Sequence, residues 1–152
     1  MVSIKVNISA PLRKMLEKDV LKSNRVRFTF REQLEKIVEL ARKTHIYITR
    51  TGKLDQSVEQ KLISDAPLRG LIQLNDENCT YGKFIHNGAP RHWVQPTDKK
   101  ALRFVSGGQF IFSKGHFVNG IKPDPFLENA VKNQLPEFEK ELNDAVYKEM
   151  DS

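Results

Sequence analysis

Cys79, His86, His92 and His116 are the soft ligands in the middle of the chain. A thiol beside an imidazole can form a nucleophile–base pair, and the same groups can hold zinc. The spacing supports neither. Nothing flanking Cys79 would place its thiol on a strained turn or at a helix N-terminus, as activation requires. The histidine spacings fit no compact zinc pattern, and there is no second cysteine. Cys79 therefore reads as a partly buried small residue, and the three histidines, on turn-rich segments, read as surface or interface residues. Ser106-Gly107-Gly108 lacks the Gly-x-Ser-x-Gly frame of a nucleophile elbow. Neither the Walker nor the dinucleotide-binding glycine pattern occurs. Glu141 and Asp144 fall on an ordinary helix face. The expectation is a protein that is not an enzyme and holds no metal or cofactor.

Contact chemistry is better represented. Arg91, His92, Trp93, Lys99, Lys100 and Arg103 gather cations and one large aromatic into a short stretch. Such a stretch can stack on bases and neutralise phosphates, or it can anchor a protein interface. Net charge is +6 over 152 residues. It is uneven: residues 1–53 hold 13 Lys/Arg and 5 Asp/Glu, while residues 54–152 hold 12 and 14. A basic first third suits nucleic acid or an acidic protein surface, although charged helix faces are commonly just solvated.

The elements that must position these residues follow from periodicity. With 39% hydrophobic and 29% charged residues, the chain has the composition of one globular domain spanning 1–152. No run approaches a membrane span, no signal-peptide pattern opens the chain, and the lone cysteine gives no disulfide, so synthesis in a cytosol is expected. Val2, Ile4, Val6 and Ile8 alternate with polar residues as in a half-buried strand. Ser9 and Pro11 read as a helix start, with Leu12, Met15, Leu16 and Val20 on its apolar face and an end near Ser23–Asn24. A second helix is expected over 30–45, opened by a Thr29/Glu32 capping box and striped by Leu34, Ile37, Val38, Leu40 and Ala41. Residues 57–64 and 68–74 read as strands, and 81–86 as a short helical turn. Apolar alternation on both sides of Gly107-Gly108 predicts a hairpin. Phe117-Val118 continues as a strand. Asp124-Pro125 opens a terminal helix, to be kinked or restarted at Pro136. The fold class is α+β: a mostly antiparallel sheet of about four to five strands packed on two or three helices.

At Thr51 the chain begins to resemble a family, the tail-completion and head–tail joining proteins of tailed bacteriophages, which includes the minor tail protein Z class. Four features carry the resemblance, over about residues 29–131. A basic, apolar helix leads into Arg50-Thr51-Gly52-Lys53-Leu54. Tyr81-Gly82-Lys83-Phe84-Ile85 with Gly88 is similar to the family's Tyr-Ala-x-Tyr/Phe-Val-x-x-Gly. His92-x-Val94-x-Pro96 precedes Lys100-Ala101-Leu102-x-Phe104 and a two-glycine turn. Pro123-Asp124-Pro125-Phe126-Leu127 opens the last helix. Gly82 stands where the family usually has alanine, and residues 1–24 have no counterpart, reading as an added interface element.

The resemblance implies a structural virion protein of the tail or neck. It implies copies of the chain in a ring, expected as a hexamer, docked to other neck or tail proteins. Gly52, Leu54, Tyr81, Phe84, Gly88, Pro96, Pro123, Pro125 and Phe126 would then be structural. Tyr81, Phe84 and Ile85 would pin a segment to the sheet, and Phe126 would plug the core. Arg42 and Lys43 would meet a neighbour's acidic helix near Glu137, Glu139, Glu141 and Asp144. Arg91, Trp93, Lys99, Lys100 and Arg103 would touch a neighbour or line a channel crossed by DNA. The alternative is a sequence-independent nucleic-acid-binding protein.

Overall fold

A computed structural model describes residues 1–7, 10–12, 23–65 and 68–151. Its architecture is α+β. Three of the strands, β1 (Ser3–Lys5), β2 (Val58–Asp65) and β3 (Leu68–Leu74), form an antiparallel sheet in the order β1-β3-β2. β3 is central, and Leu68, Ile72 and Leu74 are buried along it. The alternation of Val2, Ile4 and Val6 fixes the register of β1, because these residues pack on the core. Ile8 lies outside the described residues, as do Ser9 and the helix positions Met15, Leu16 and Val20. Ala10–Leu12 is helical and Leu12 is buried.

Helix α1 (Asn24–Lys43) starts earlier than the Thr29/Glu32 box suggests. The oxygen of Ser23 caps it by accepting from the backbone N–H of Arg25 at 3.2 Å. The reason is that Val26 and Phe30 extend the buried stripe one turn and more upstream of Leu34. Thr29 and Glu32 therefore lie inside the helix. Arg42 and Lys43 occupy the last turn as expected. Gly70 on β3 lets α1 approach the sheet closely: a Cβ there would stand 2.5 Å from Leu34 Cδ1.

Helix α4 (Phe126–Met150) crosses α1 and completes the core. Phe30 meets Phe138 edge-on at 5.4 Å between ring centroids. Buried Gln33 has a partner in Gln134 at 3.5 Å, and Lys36 pairs with Glu137 at 3.4 Å. Helical structure persists on both sides of Pro136, so no break and restart occurs. That proline faces solvent, where the carbonyl it leaves without an N–H partner can be hydrated.

Two short helices, α2 (Lys53–Ser57) and α3 (Gly82–Asn87), flank the first sheet. The remaining strands are β4 (His92–Val94), β5 (Leu102–Ser106), β6 (Gln109–Ser113) and β7 (His116–Val118). They form two separate two-stranded ladders, β4-β7 and β5-β6, rather than extending the first sheet. No helix among the described residues is long and apolar enough to cross a membrane.

Candidate assembly interface

From Ala89 to Ile121 the chain runs out and back as one ribbon. Ala89 and Ile121 exchange backbone hydrogen bonds at 2.9 and 2.8 Å and close its root. β4 pairs with β7 above the root, and β5 pairs with β6 beyond them. Gly107 and Gly108 turn the tip with φ of +58° and +80°, the positive pair that a two-residue type I′ turn demands. The hairpin read from the sequence is thus in place, down to its turn.

No residue between 89 and 123 is buried. Yet the ribbon is apolar on both faces. Register places Phe104 and Ile111 on one face, and Val105, Phe110 and Phe112 on the other. The second face is the more open, with Phe110 at 63% and Phe112 at 67% exposure. Nothing lies within 4 Å of where a Cβ would be at either tip glycine.

Cations decorate these rings. The Arg103 guanidinium lies 4.8 Å from the Phe110 centroid and that of Arg91 lies 4.6 Å from Phe117. Trp93 meets Phe117 edge-on at 5.0 Å and also lies against Gly115, leaving no room there for a Cβ. Lys99 and Lys100 are exposed in the bend between β4 and β5, and Pro96 is half-buried in the same connection. The structure therefore brings Arg91, Trp93 and Arg103 onto one ribbon with Lys99 and Lys100. It keeps Arg42 and Lys43 apart from them, on α1. Arg42 donates to the Val58 carbonyl at 2.8 Å, and Lys43 pairs with Glu39 at 3.6 Å. Glu137, expected to await a neighbour, is engaged by Lys36 of its own chain.

The root is tied to the body by groups the sequence left in other roles. Asp124, read as a helix start, is buried and accepts from the backbone N–H groups of Ile46 and Tyr47 at 2.7 and 3.1 Å. Its own N–H donates to Ile85 at 3.1 Å. Pro125 takes the N-cap position of α4 instead, without a side-chain cap, and Phe126 is fully buried below it. Gly88 turns the chain into the ribbon at φ +77°, and a Cβ there would stand 2.9 Å from the Ile121 oxygen and 3.0 Å from Pro123. Pro123 itself is exposed.

The pinning role foreseen for α3 falls on different residues. Gly82 and His86, one turn apart, face inward, whereas Tyr81 and Phe84 are close to half-exposed. A Cβ on Gly82 would stand 2.9 Å from Leu54 Cδ1 and 3.2 Å from Leu74 Cδ1, so glycine is what this core admits. His86, read as a surface residue, packs edge-on against Phe126 at 5.4 Å and bonds Asn87 at 2.9 Å. Cys79 is likewise fully buried rather than partly so. The neighbouring Cys79 thiol is the first cause holding the Tyr81 phenol above its ordinary range. His92 and His116 are on the ribbon. Among the described residues, no group of three His, Cys, Asp or Glu side chains converges as a metal site.

Beside the root, Tyr47, Arg50, Leu54, Tyr81 and Ile85 help line an open cleft of about 570 Å³. Gly52, at φ +70°, leads into α2, whose Leu54 is buried. The Tyr47 hydroxyl donates to Asp55, which also accepts from Thr49 at 3.0 Å, and the Tyr47 ring stacks on His45 at 3.7 Å. Burial first, then Asp55, pushes the Tyr47 phenol far above its ordinary value. These contacts brace the 44–55 segment on which Asp124 acts. No protein-family model, curated protein or solved structure matches the chain.

Proposed function

We propose that the chain is a structural assembly protein of a tailed-bacteriophage particle, completing the tail or joining head to tail, and not an enzyme. One observation carries this reading: a ribbon of more than thirty residues exposes five aromatic rings and buries none of its own residues. A two-stranded ribbon alone is marginal in water, and contiguous apolar surface of this kind marks a protein interface. The ordered motifs from Arg50 to Leu127 supply the phage context. Trp93, Phe110 and Phe112 with Arg91 and Arg103 match the aromatic-plus-arginine make-up of interface cores.

The test is genetic and visual. Interrupting the reading frame in the phage that carries it should leave separate heads and tails in negative-stain images, and mass spectrometry should find the chain in purified wild-type particles. Joined, infectious particles without it would sink the proposal. A second reading is sequence-independent nucleic-acid binding, favoured by the ribbon's cations, since residues 89–122 carry six Lys/Arg against Asp98 alone. It predicts retention of duplex DNA by the purified chain, weakening steeply with salt.

A further inference from the structure

The ribbon needs a cover, and its charge says what kind. Six Lys/Arg against one Asp give residues 89–122 a local excess of positive charge within an otherwise acidic 54–152. The opposite bias lies at the other end of the chain. Residues 136–151 hold six Asp/Glu and two Lys. There, Asp144, Tyr147 and Asp151 recur at helical spacing on one exposed face, with Met150 beside them. Tyr147 is 56% and Met150 60% exposed. Lys140 and Lys148 flank Asp144 one turn to either side, but the end of the helix is net acidic, so its exposed tyrosine and methionine complement a ribbon of aromatic residues framed by cations.

We infer that the ribbon of one copy packs on the Asp144–Tyr147–Asp151 face of the terminal helix of the next copy. The inference rests on the assembly reading and names its contact. On the more open face of the β5–β6 hairpin, Val105, Phe110 and Phe112 offer about 350 Å² of apolar surface, a centre that reaches the ~800 Å² per partner of a standard interface only with the polar and cationic residues around it. The aliphatic side chains argue for protein over nucleic acid, because Val105 and Ile111 give a base nothing to stack on. The two patches are different surfaces of one chain, so the contact is head-to-tail and repeats until it closes into a ring or extends as a filament.

Analytical ultracentrifugation of the full chain tests this with two charge-reversed variants. One carries Lys100→Glu and Arg103→Glu on the ribbon. The other carries Asp144→Lys and Asp151→Lys on the helix. All four positions are exposed, so circular dichroism should report an unchanged fold. The parent chain should associate, more weakly as salt rises. Each variant alone should show a dissociation constant raised by about tenfold or more. Mixed together, the two variants should co-assemble, because each ribbon then meets a helix face of opposite charge. A parent chain that stays monomeric at roughly 0.1 mM, or variants that associate like the parent, overturns the docking. So does a ribbon variant that loses duplex DNA binding and no self-association. The two readings fail separately: intact self-association with absence from purified particles refutes the virion role alone, whereas presence in particles with association indifferent to both variants refutes the docking alone.

Discussion

Replacing Asp124 isolates the strut between the ribbon's root and the body. One carboxylate oxygen receives the backbone N–H groups of Ile46 and Tyr47, from a position 5% exposed. Each hydrogen bond to a charged group is worth about 1.5–3 kcal/mol. The Ile46 side chain is open to solvent, so water can take over part of that donor's loss. Asp124→Ala should therefore cost about 2–3 kcal/mol. In a domain of this size that corresponds to a fall in melting temperature of roughly 5–10 °C. Asp124→Asn keeps an amide oxygen with two lone pairs in place and should cost under about 1 kcal/mol. Urea titration followed by far-ultraviolet circular dichroism separates the two. If alanine costs no more than asparagine, the acceptor role assigned to this side chain is wrong.

Three further outcomes follow from packing and titration. Gly70→Ala drives a methyl into Leu34 on α1 and should destabilise by about 1–3 kcal/mol, read by the same titration. Gly108→Val places a β-branched residue at φ +80° and should abolish the β5–β6 cross-strand nuclear Overhauser contacts while the core resonances stay unmoved. Tyr47 keeps its proton in the folded chain, so its contribution is full below the ordinary phenol value near 10 and fades as pH rises beyond it. Tyr47→Phe should accordingly flatten the loss of stability between about pH 10 and 12. An unchanged alkaline slope would show that the phenol plays no such part.

Much of this fold is legible in the sequence because its signals are local. Alternation at Val2–Val6, the apolar stripe of α1 and the Gly-Gly turn each depend on residues a few positions apart, and those elements appear where expected, save that α1 opens at Asn24 rather than near residue 30. The misreadings have one physical source, contacts distant in sequence. Asp124 has the look of a helix start, but its acceptor capacity is taken by N–H groups 77 and 78 residues away. Tyr81 and Phe84 are the large apolar residues of α3, yet the inward side belongs to Gly82 and His86, because Leu54 and Leu74 leave no space for bulk. The separation of the later strands from the first sheet was equally invisible: period two reveals a strand, not its partner. Arg91, Trp93, Lys99, Lys100 and Arg103 are legible as a group because they crowd one stretch of sequence. The exposure of the aromatic residues around them depends on register and burial, which no local pattern carries.

The closed root at Ala89 and Ile121 has a consequence for how this chain can change. Whatever lies beyond that bridge is bounded by two hydrogen-bonded neighbours, so its length is free of the core. One residue added to each strand lengthens it by about 3.4 Å but turns every later side chain to the opposite face. Two added to each strand extend it by about 7 Å and leave the facing intact. The ribbon is thus a ruler graduated in steps of two residue pairs. Through such steps its reach can be retuned while the helices and the β1-β3-β2 sheet stay as they are.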